Sequence, residues 1–204
     1  VSHQIPTLVF FDLGDVVCRF VPAERIKEFA LRTGRTEQDL HKLVWESGLS
    51  AECDQGKYTL DQLCRAINDA IGSELDDLTI IDAWRRAFVL NPDVYRIARE
   101  VSLKTRVGLL TNNAPVLRAA FPTWFAEVEA LFDPILFTYE LGTSKPDPVA
   151  FKRVQENVNC TPGELMLIDD SRKNVEVART LGWQTIHYVN PVDLAETLKT
   201  LGVL

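Results

Sequence analysis

Phe10-Phe11-Asp12-Leu13-Gly14-Asp15-Val16-Val17 (FFDLGDVV), preceded by Thr7-Leu8-Val9, is the stretch whose reading decides the fold. An unbroken apolar run of β-favouring residues ends at an acid. Such a run, with no polar alternation, reads as a strand buried on both faces, which is the habit of parallel sheets. The run 7–12 is therefore a strand that delivers Asp12 at its carboxyl end. A second acid, Asp15, follows three residues later. On an extended chain, residues two apart share a face and residues three apart do not. Gly14 stands where a second carboxylate would face the same way as Asp12.

Four more short apolar runs resemble the first: 105–111, 135–139, 164–169 and 185–189. Helical patterns separate these later four. Strand and helix in alternation predict an α/β fold, a doubly wound, Rossmann-like parallel sheet covered on both faces. Asn91-Pro92 and Asp147-Pro148 read as N-cap followed by proline at the first helical position. Thr59-Leu60-Asp61-Gln62 fits a capping box, and Thr161-Pro162-Gly163-Glu164 a short capped turn before a strand. Between Val16 and Lys104 no strand is predicted, only helices over 22–33, 36–47, 60–71, 76–89 and 92–102. So long a helical stretch between two strands exceeds a simple crossover and reads as an inserted subdomain. Gly34, Gly48, Gly56 and Gly72 punctuate it as helix ends or turns. The predicted organisation is a core domain of residues 1–17 and 90–204, with a helical cap domain at 18–89.

Composition narrows the function classes. The chain has 204 residues, enough to bury a core without disulfides or structural metal. Its net charge of −7 argues against nucleic acid and anionic membranes as partners. A local metal can still outweigh that charge and admit a phosphorylated substrate. The four cysteines, Cys18, Cys53, Cys64 and Cys160, form no C-x-x-C pair and read as reduced thiols. The three histidines, His3, His41 and His187, lie far apart and form no metal-binding pattern. Residues 1–7 are too short and polar for a signal core, and no apolar run approaches a membrane span. The predicted location is the cytoplasm.

Ligands of open parallel sheets bind beyond the carboxyl ends of the strands. Asp12 stands at the first of these ends and Thr111-Asn112-Asn113 at the second. Gly142-Thr143-Ser144-Lys145-Pro146 follows the third, and Asp169-Asp170-Ser171 ends the fourth. Asp12, Asp169 and Asp170 would repel one another unless a cation sat among them. Hard carboxylate oxygens suit Mg²⁺, which typically adds substrate phosphate to one or two carboxylates. Thr111 can donate to a phosphate oxygen, and Lys145 can neutralise phosphate and nucleophile together. A carboxylate can attack phosphorus to give an aspartyl-phosphate.

With these parts in order, the chain resembles the haloacid dehalogenase (HAD) superfamily of aspartate-nucleophile phosphotransferases. Four motifs carry the resemblance: FFDLGDVV at 10–17, GLLTNN at 108–113, SKPDP at 144–148 and LIDDSRKNV at 167–175. The insertion lies between the first two, where that superfamily carries its helical C1-type cap. The resemblance implies that Asp12 is the nucleophile and, with Asp170 and the Gly14 carbonyl, a metal ligand. It implies that Asp169 binds the metal or its water shell. Thr111 and Asn112 would bind the transferring phosphate, Lys145 would tie it to Asp12, and Asn174 would orient the acidic loop. The activity implied is Mg²⁺-dependent hydrolysis of a small phosphorylated metabolite.

The first motif departs from the usual D-x-D. Gly14 replaces the acid that would protonate the leaving group, an effect worth roughly 10²–10⁴ in rate. Asp15 could substitute if the chain turned sharply at Gly14; otherwise it is a turn residue. The nearest branch by this motif is that of small bacterial sugar phosphatases, associated with good leaving groups such as an anomeric oxygen. Two rivals remain open: a 2-haloacid dehalogenase, which the acids Asp169 and Asp170 disfavour, and a weakly active or non-catalytic binding protein. A phosphomutase fits badly, because it needs a base. In the cap, Trp45, Glu52, Asp54 and Lys57 are candidates to face the site, while Trp84 and Phe88 read as cap core. Oligomeric state is not encoded in any of these patterns.

Overall fold

All five apolar runs become strands of one sheet in the computed structural model, which describes residues 5–204. Strand β1 (Leu8–Phe11) leads through a tight loop to β2 (Cys18–Phe20). Helices α1 (Pro22–Thr33), α2 (Glu37–Leu40), α3 (Leu49–Asp54), α4 (Leu60–Ile71) and α5 (Asp77–Arg85) follow, and β3 (Phe88–Leu90) closes this block. Then come α6 (Pro92–Val101), β4 (Arg106–Thr111), α7 (Pro115–Trp124), α8 (Ala126–Leu131), β5 (Ile135–Phe137) and α9 (Thr138–Leu141). The chain ends with α10 (Pro148–Val158), β6 (Leu165–Asp169), α11 (Arg172–Thr180), β7 (Gln184–His187) and α12 (Pro191–Thr200).

The sheet order is β5-β4-β1-β6-β7 and every pairing is parallel. Central β1 is buried throughout, as its unbroken apolar sequence requires. Its side chains alternate between two cores. Val9 and Phe11 join Val94, Ile97, Leu117 and Phe121 on the face covered by α6 and α7. Leu8 and Phe10 join Phe151, Val154 and Trp183 on the face covered by α10. This is a doubly wound, Rossmann-like sheet.

The helices follow their sequence signals at most ends. Thr59 and Gln62 form the reciprocal capping box of α4, and Asp147 caps α10 through the Val149 amide. Thr161 and Glu164 cap a single helical turn before β6. At α6 the proline sits at the helix start, but Asn91 makes no side-chain cap; its amide donates instead to the Tyr188 hydroxyl. The four glycines all take left-handed φ values.

Two readings are corrected. The predicted helix 36–47 divides into α2 and a π-helical turn, His41–Glu46, which α3 then follows. The predicted helix 76–89 stops at Arg85, because Phe88–Leu90 is a strand. It pairs antiparallel with β2, Phe20 opposite Phe88 and Cys18 opposite Leu90. This two-stranded ribbon is the stalk through which the chain leaves and re-enters the sheet. The insert also touches the sheet side elsewhere: α4 and α5 pack on α7, and Thr138 donates its hydroxyl to the carbonyl of Asp54 (3.2 Å).

Candidate active site

Parallel strands that start together end together, so β1, β4 and β6 present their carboxyl ends along one edge. Asp12 follows β1, Thr111 ends β4, and Asp169 ends β6 with Asp170 beyond it. Lys145 enters from the loop after α9. Its ammonium donates to Asp12 Oδ1 (3.0 Å), to Asp169 Oδ2 (2.7 Å) and to the Leu110 carbonyl (2.7 Å). All the donors of an ammonium are thereby used. The Lys145 side chain is 1% exposed and that of Asp169 is 0% exposed, so this bridge is dry.

Each partner is held by another. The Asn112 side chain donates to the Lys145 carbonyl (2.7 Å) and accepts from the Lys145 amide (3.0 Å). Asn113 donates to Thr111 Oγ1 (2.7 Å), which leaves the Thr111 hydroxyl hydrogen free to donate. Asn174 reaches both oxygens of Asp169 (2.9 and 3.0 Å), and the Ser171 amide adds a bond to Oδ1 (2.9 Å).

The charges act against their surroundings. Burial raises the Asp12 carboxyl to about 6, while Lys145 lowers it and Asp169 raises it. At neutral pH most of Asp12 is still ionised. Burial alone would lower the Lys145 ammonium, but Asp12 and Asp169 outweigh it and hold Lys145 above its ordinary value. Desolvation, then the charges of Asp169 and Asp15, raises Asp170. Carboxylate oxygens of Asp12, Asp169 and Asp170 lie within 4.8 Å of one another. Three acids with one ammonium leave an excess of negative charge that a divalent cation would neutralise. An all-oxygen donor set suits Mg²⁺. The Asp169 carboxylate already accepts from Lys145, Asn174 and Ser171, whereas Asp170 is exposed.

A cavity of about 150 Å³ opens on this constellation, lined by Asp12, Gly14, Thr111, Lys145 and the rings of Phe20 and Phe88. A larger groove, about 620 Å³, runs between α1, β3 and the α7–α8 corner. It contains neither Asp12 nor the ammonium–carboxylate bridge, so the smaller cavity is the candidate site.

The structure also redistributes several residues singled out in the sequence. Asp15, not Gly14, makes the sharp turn: its φ is 54°. Its carboxylate accepts from the Phe20 amide (2.9 Å) and closes the loop into β2. A Cβ on Gly14 would meet only Phe88 Cε1, at 3.9 Å. The Asn112 side chain is committed to the Lys145 backbone. Phe88 belongs to the ribbon and lines the cavity, while Trp84 is buried core as anticipated. Glu52 pairs with Lys57 (2.9 Å) and accepts from Tyr58 (3.2 Å). Trp45 packs against Trp84 with tilted rings whose centres are 5.7 Å apart. His41 pairs with Glu46 (3.2 Å), whereas His187 Nε2 meets the Asp170 carbonyl (2.9 Å). His3 lies outside the described residues. Cys18, Cys53 and Cys64 are free, buried thiols pushed up to about 12 by burial.

Fold and acid cluster together define an α/β hydrolase scaffold, and comparison with known proteins identifies it. No protein-family model matches the chain. The D-ribitol-5-phosphate phosphatase of Bacteroides thetaiotaomicron is 24% identical over 201 residues, covering 95% of this chain and 97% of that protein. A phosphatase of Mycobacterium tuberculosis is 34% identical over 137 residues, or 67% of this chain and 56% of its own length. A HAD family enzyme from Bacteroides thetaiotaomicron, solved with magnesium and inorganic phosphate, superposes with a TM-score of 0.76. It is 25% identical and covers 90% of this chain and 93% of that one. The chain belongs to the HAD-like hydrolase superfamily. Among the described residues no helix is long and apolar enough to cross a membrane.

Proposed function

We propose that this chain is a Mg²⁺-dependent phosphatase that hydrolyses a small phosphorylated metabolite, a sugar or alditol phosphate, through an aspartyl-phosphate on Asp12. One observation carries the reading: the Lys145 ammonium bridges Asp12 and Asp169 beside Thr111, with Asp170 completing a three-acid cluster. The relatives named above point the same way, being phosphatases or a magnesium–phosphate complex.

Asp12 and Asp170 would hold Mg²⁺ directly, with the Gly14 carbonyl beside them and Asp169 acting through the water shell. The cation would supply positive charge to the phosphate oxygens. Lys145 holds Asp12 Oδ1, which leaves the other carboxylate oxygen to attack phosphorus. That bond forms as the bond to the leaving oxygen breaks, and the leaving oxygen takes a proton from water. Thr111 donates its hydroxyl hydrogen to the transferring phosphoryl group. Water then attacks phosphorus, releasing phosphate and restoring Asp12. No carboxylate at position 14 assists either proton transfer, which favours leaving groups that depart readily. Residues 18–89 would act as a cap over residues 1–17 and 90–204, and Phe20 and Phe88 would wall the mouth against water.

The test is phosphate release from a panel of phosphoesters, anomeric sugar phosphates included, with Mg²⁺ and with EDTA. Turnover that needs Mg²⁺ and disappears in Asp12→Asn is expected. Turnover of 2-haloacids in EDTA would favour a dehalogenase, and silence across the panel would favour a binding protein.

A further inference from the structure

Arg25 is the most unusual charged residue outside the acid cluster. It occupies the first turn of α1, yet it is 7% exposed. Its guanidinium lies over three rings, 5.2 Å from the centre of Phe20, 4.5 Å from Trp45 and 4.9 Å from Trp84. Its Nε is sealed without a hydrogen-bond partner. Among the described residues, no carboxylate forms a salt bridge with it. Stacking satisfies the faces of a guanidinium but not its edge, where all five N–H donors lie. The sealed Nε–H is a cost that cation–π contact has to offset, whereas the terminal N–H groups make no hydrogen bond to any described residue and are not sealed, so an incoming acceptor can take them.

Two neighbours say what arrives. Phe20, on which Arg25 rests, is a wall of the cavity that holds Asp12 and Lys145. Asp54, at the end of α3, is the carboxylate whose charge acts on Arg25. Its backbone carbonyl is tied by Thr138 of the sheet side, so it sits where the helical insert meets the core. A donor-only cation and a carboxyl group beside aromatic faces make a pattern for hydroxyl groups on a carbon chain. Hydroxyls both accept and donate, and their C–H faces pack on rings. A second phosphate or carboxylate fits less well, because Asp54 would repel it.

We propose that Arg25 and Asp54 form the specificity site for the distal hydroxyls of a polyhydroxylated phosphoester. This rests on the phosphatase reading above and deepens it. Burial lowers the Arg25 guanidinium only to about 10, so it remains a cation at neutral pH. Burial raises the Asp54 carboxyl to about 7, with Arg25 opposing, so it can serve as donor or acceptor.

The experiment compares wild type, Arg25→Met, Arg25→Lys and Asp54→Asn on ribitol 5-phosphate and on p-nitrophenyl phosphate, which has no hydroxyl chain. Arg25→Met should lower kcat/KM for ribitol 5-phosphate by about 10- to 100-fold, the loss of charge-assisted hydrogen bonds, chiefly through KM. The loss with p-nitrophenyl phosphate should be at least about fivefold smaller. Thermal melting checks folding, and Arg25→Lys and Asp54→Asn carry the same comparison should Arg25→Met not fold. Equal losses on both substrates, or none on either, would overturn the proposal and leave Arg25 a packing residue. If wild type hydrolyses neither these two esters nor any other phosphoester of the panel above, the phosphatase reading falls. Calorimetry of ribitol 5-phosphate on Asp12→Asn, with and without Arg25→Met, then decides the hydroxyl site alone: equal affinities would overturn it.

Discussion

Lys145→Met should destabilise the protein markedly, and more so at neutral than at acid pH. Methionine keeps the length of the side chain and removes the ammonium. Three hydrogen bonds of 2.7–3.0 Å disappear, and Asp12 and Asp169 are left facing each other around a side chain that is 1% exposed. Breaking a buried ion pair by removing one partner costs about 3–5 kcal/mol. For a chain of this size each kcal/mol moves Tm by roughly 2–4 °C, so a fall on the order of 6–20 °C is expected. The sign of the pH dependence follows from the carboxyls. Burial already holds Asp12 at about 6, and removing the ammonium raises it further. A carboxyl whose folded pKa lies above its unfolded value binds more protons in the folded state, so stability rises as pH falls. The deficit of Lys145→Met against wild type should therefore be largest near about pH 7.5 and shrink towards about pH 5. Thermal unfolding by circular dichroism in chelator, at both pH values, measures it. A fall below about 2 °C, or a deficit that does not shrink in acid, would refute the reasoning. Asp169→Asn added to Lys145→Met should recover part of the loss.

Gly14→Asp should fold, since a Cβ there meets only Phe88 at 3.9 Å. By restoring a general acid it should raise turnover of simple alkyl phosphates by about tenfold or more, with little change for p-nitrophenyl phosphate. Gly56→Ala should loosen the seam between insert and core. Gly56 has φ +78°, and a Cβ there would lie 2.4 Å from the Tyr139 carbonyl; a loss of about 1–3 kcal/mol in chemical denaturation and a raised KM are expected. Asp170→Asn should weaken Mg²⁺ at least about tenfold, read as the Mg²⁺ concentration that stabilises the fold, with activity recovered at high Mg²⁺.

The sheet was legible because each strand is a short apolar run whose burial is dictated by its own composition. The edge that gathers Asp12, Thr111 and Asp169 was legible for the same reason: once strand ends are known, the three fall along one side of the sheet. What stayed hidden depends on partners distant in sequence. Strands β2 and β3 have three residues each and pair with one another across the whole insert, so neither carries a local period. Asn112 sits in a loop that reads as a phosphate cradle, but its side chain binds the backbone of a residue 33 positions on. Asp15 takes a left-handed turn that the sequence pattern assigns to the neighbouring Gly14. Arg25 follows a proline at the start of an amphipathic helix, where a charge reads as solvated. Its cover includes three aromatic rings that come from β2, the π-helical turn and α5, distant in sequence.

The claim that everything else rests on is covalent: Asp12 accepts the phosphoryl group. Acid-quenched mass spectrometry during turnover of a phosphoester with Mg²⁺ tests it most directly. One phosphoryl group should appear on the peptide carrying Asp12, and fluoroberyllate should suppress it together with turnover. Phosphate release without any phosphorylated protein, unaffected by fluoroberyllate and retained in Asp12→Asn, would contradict the account.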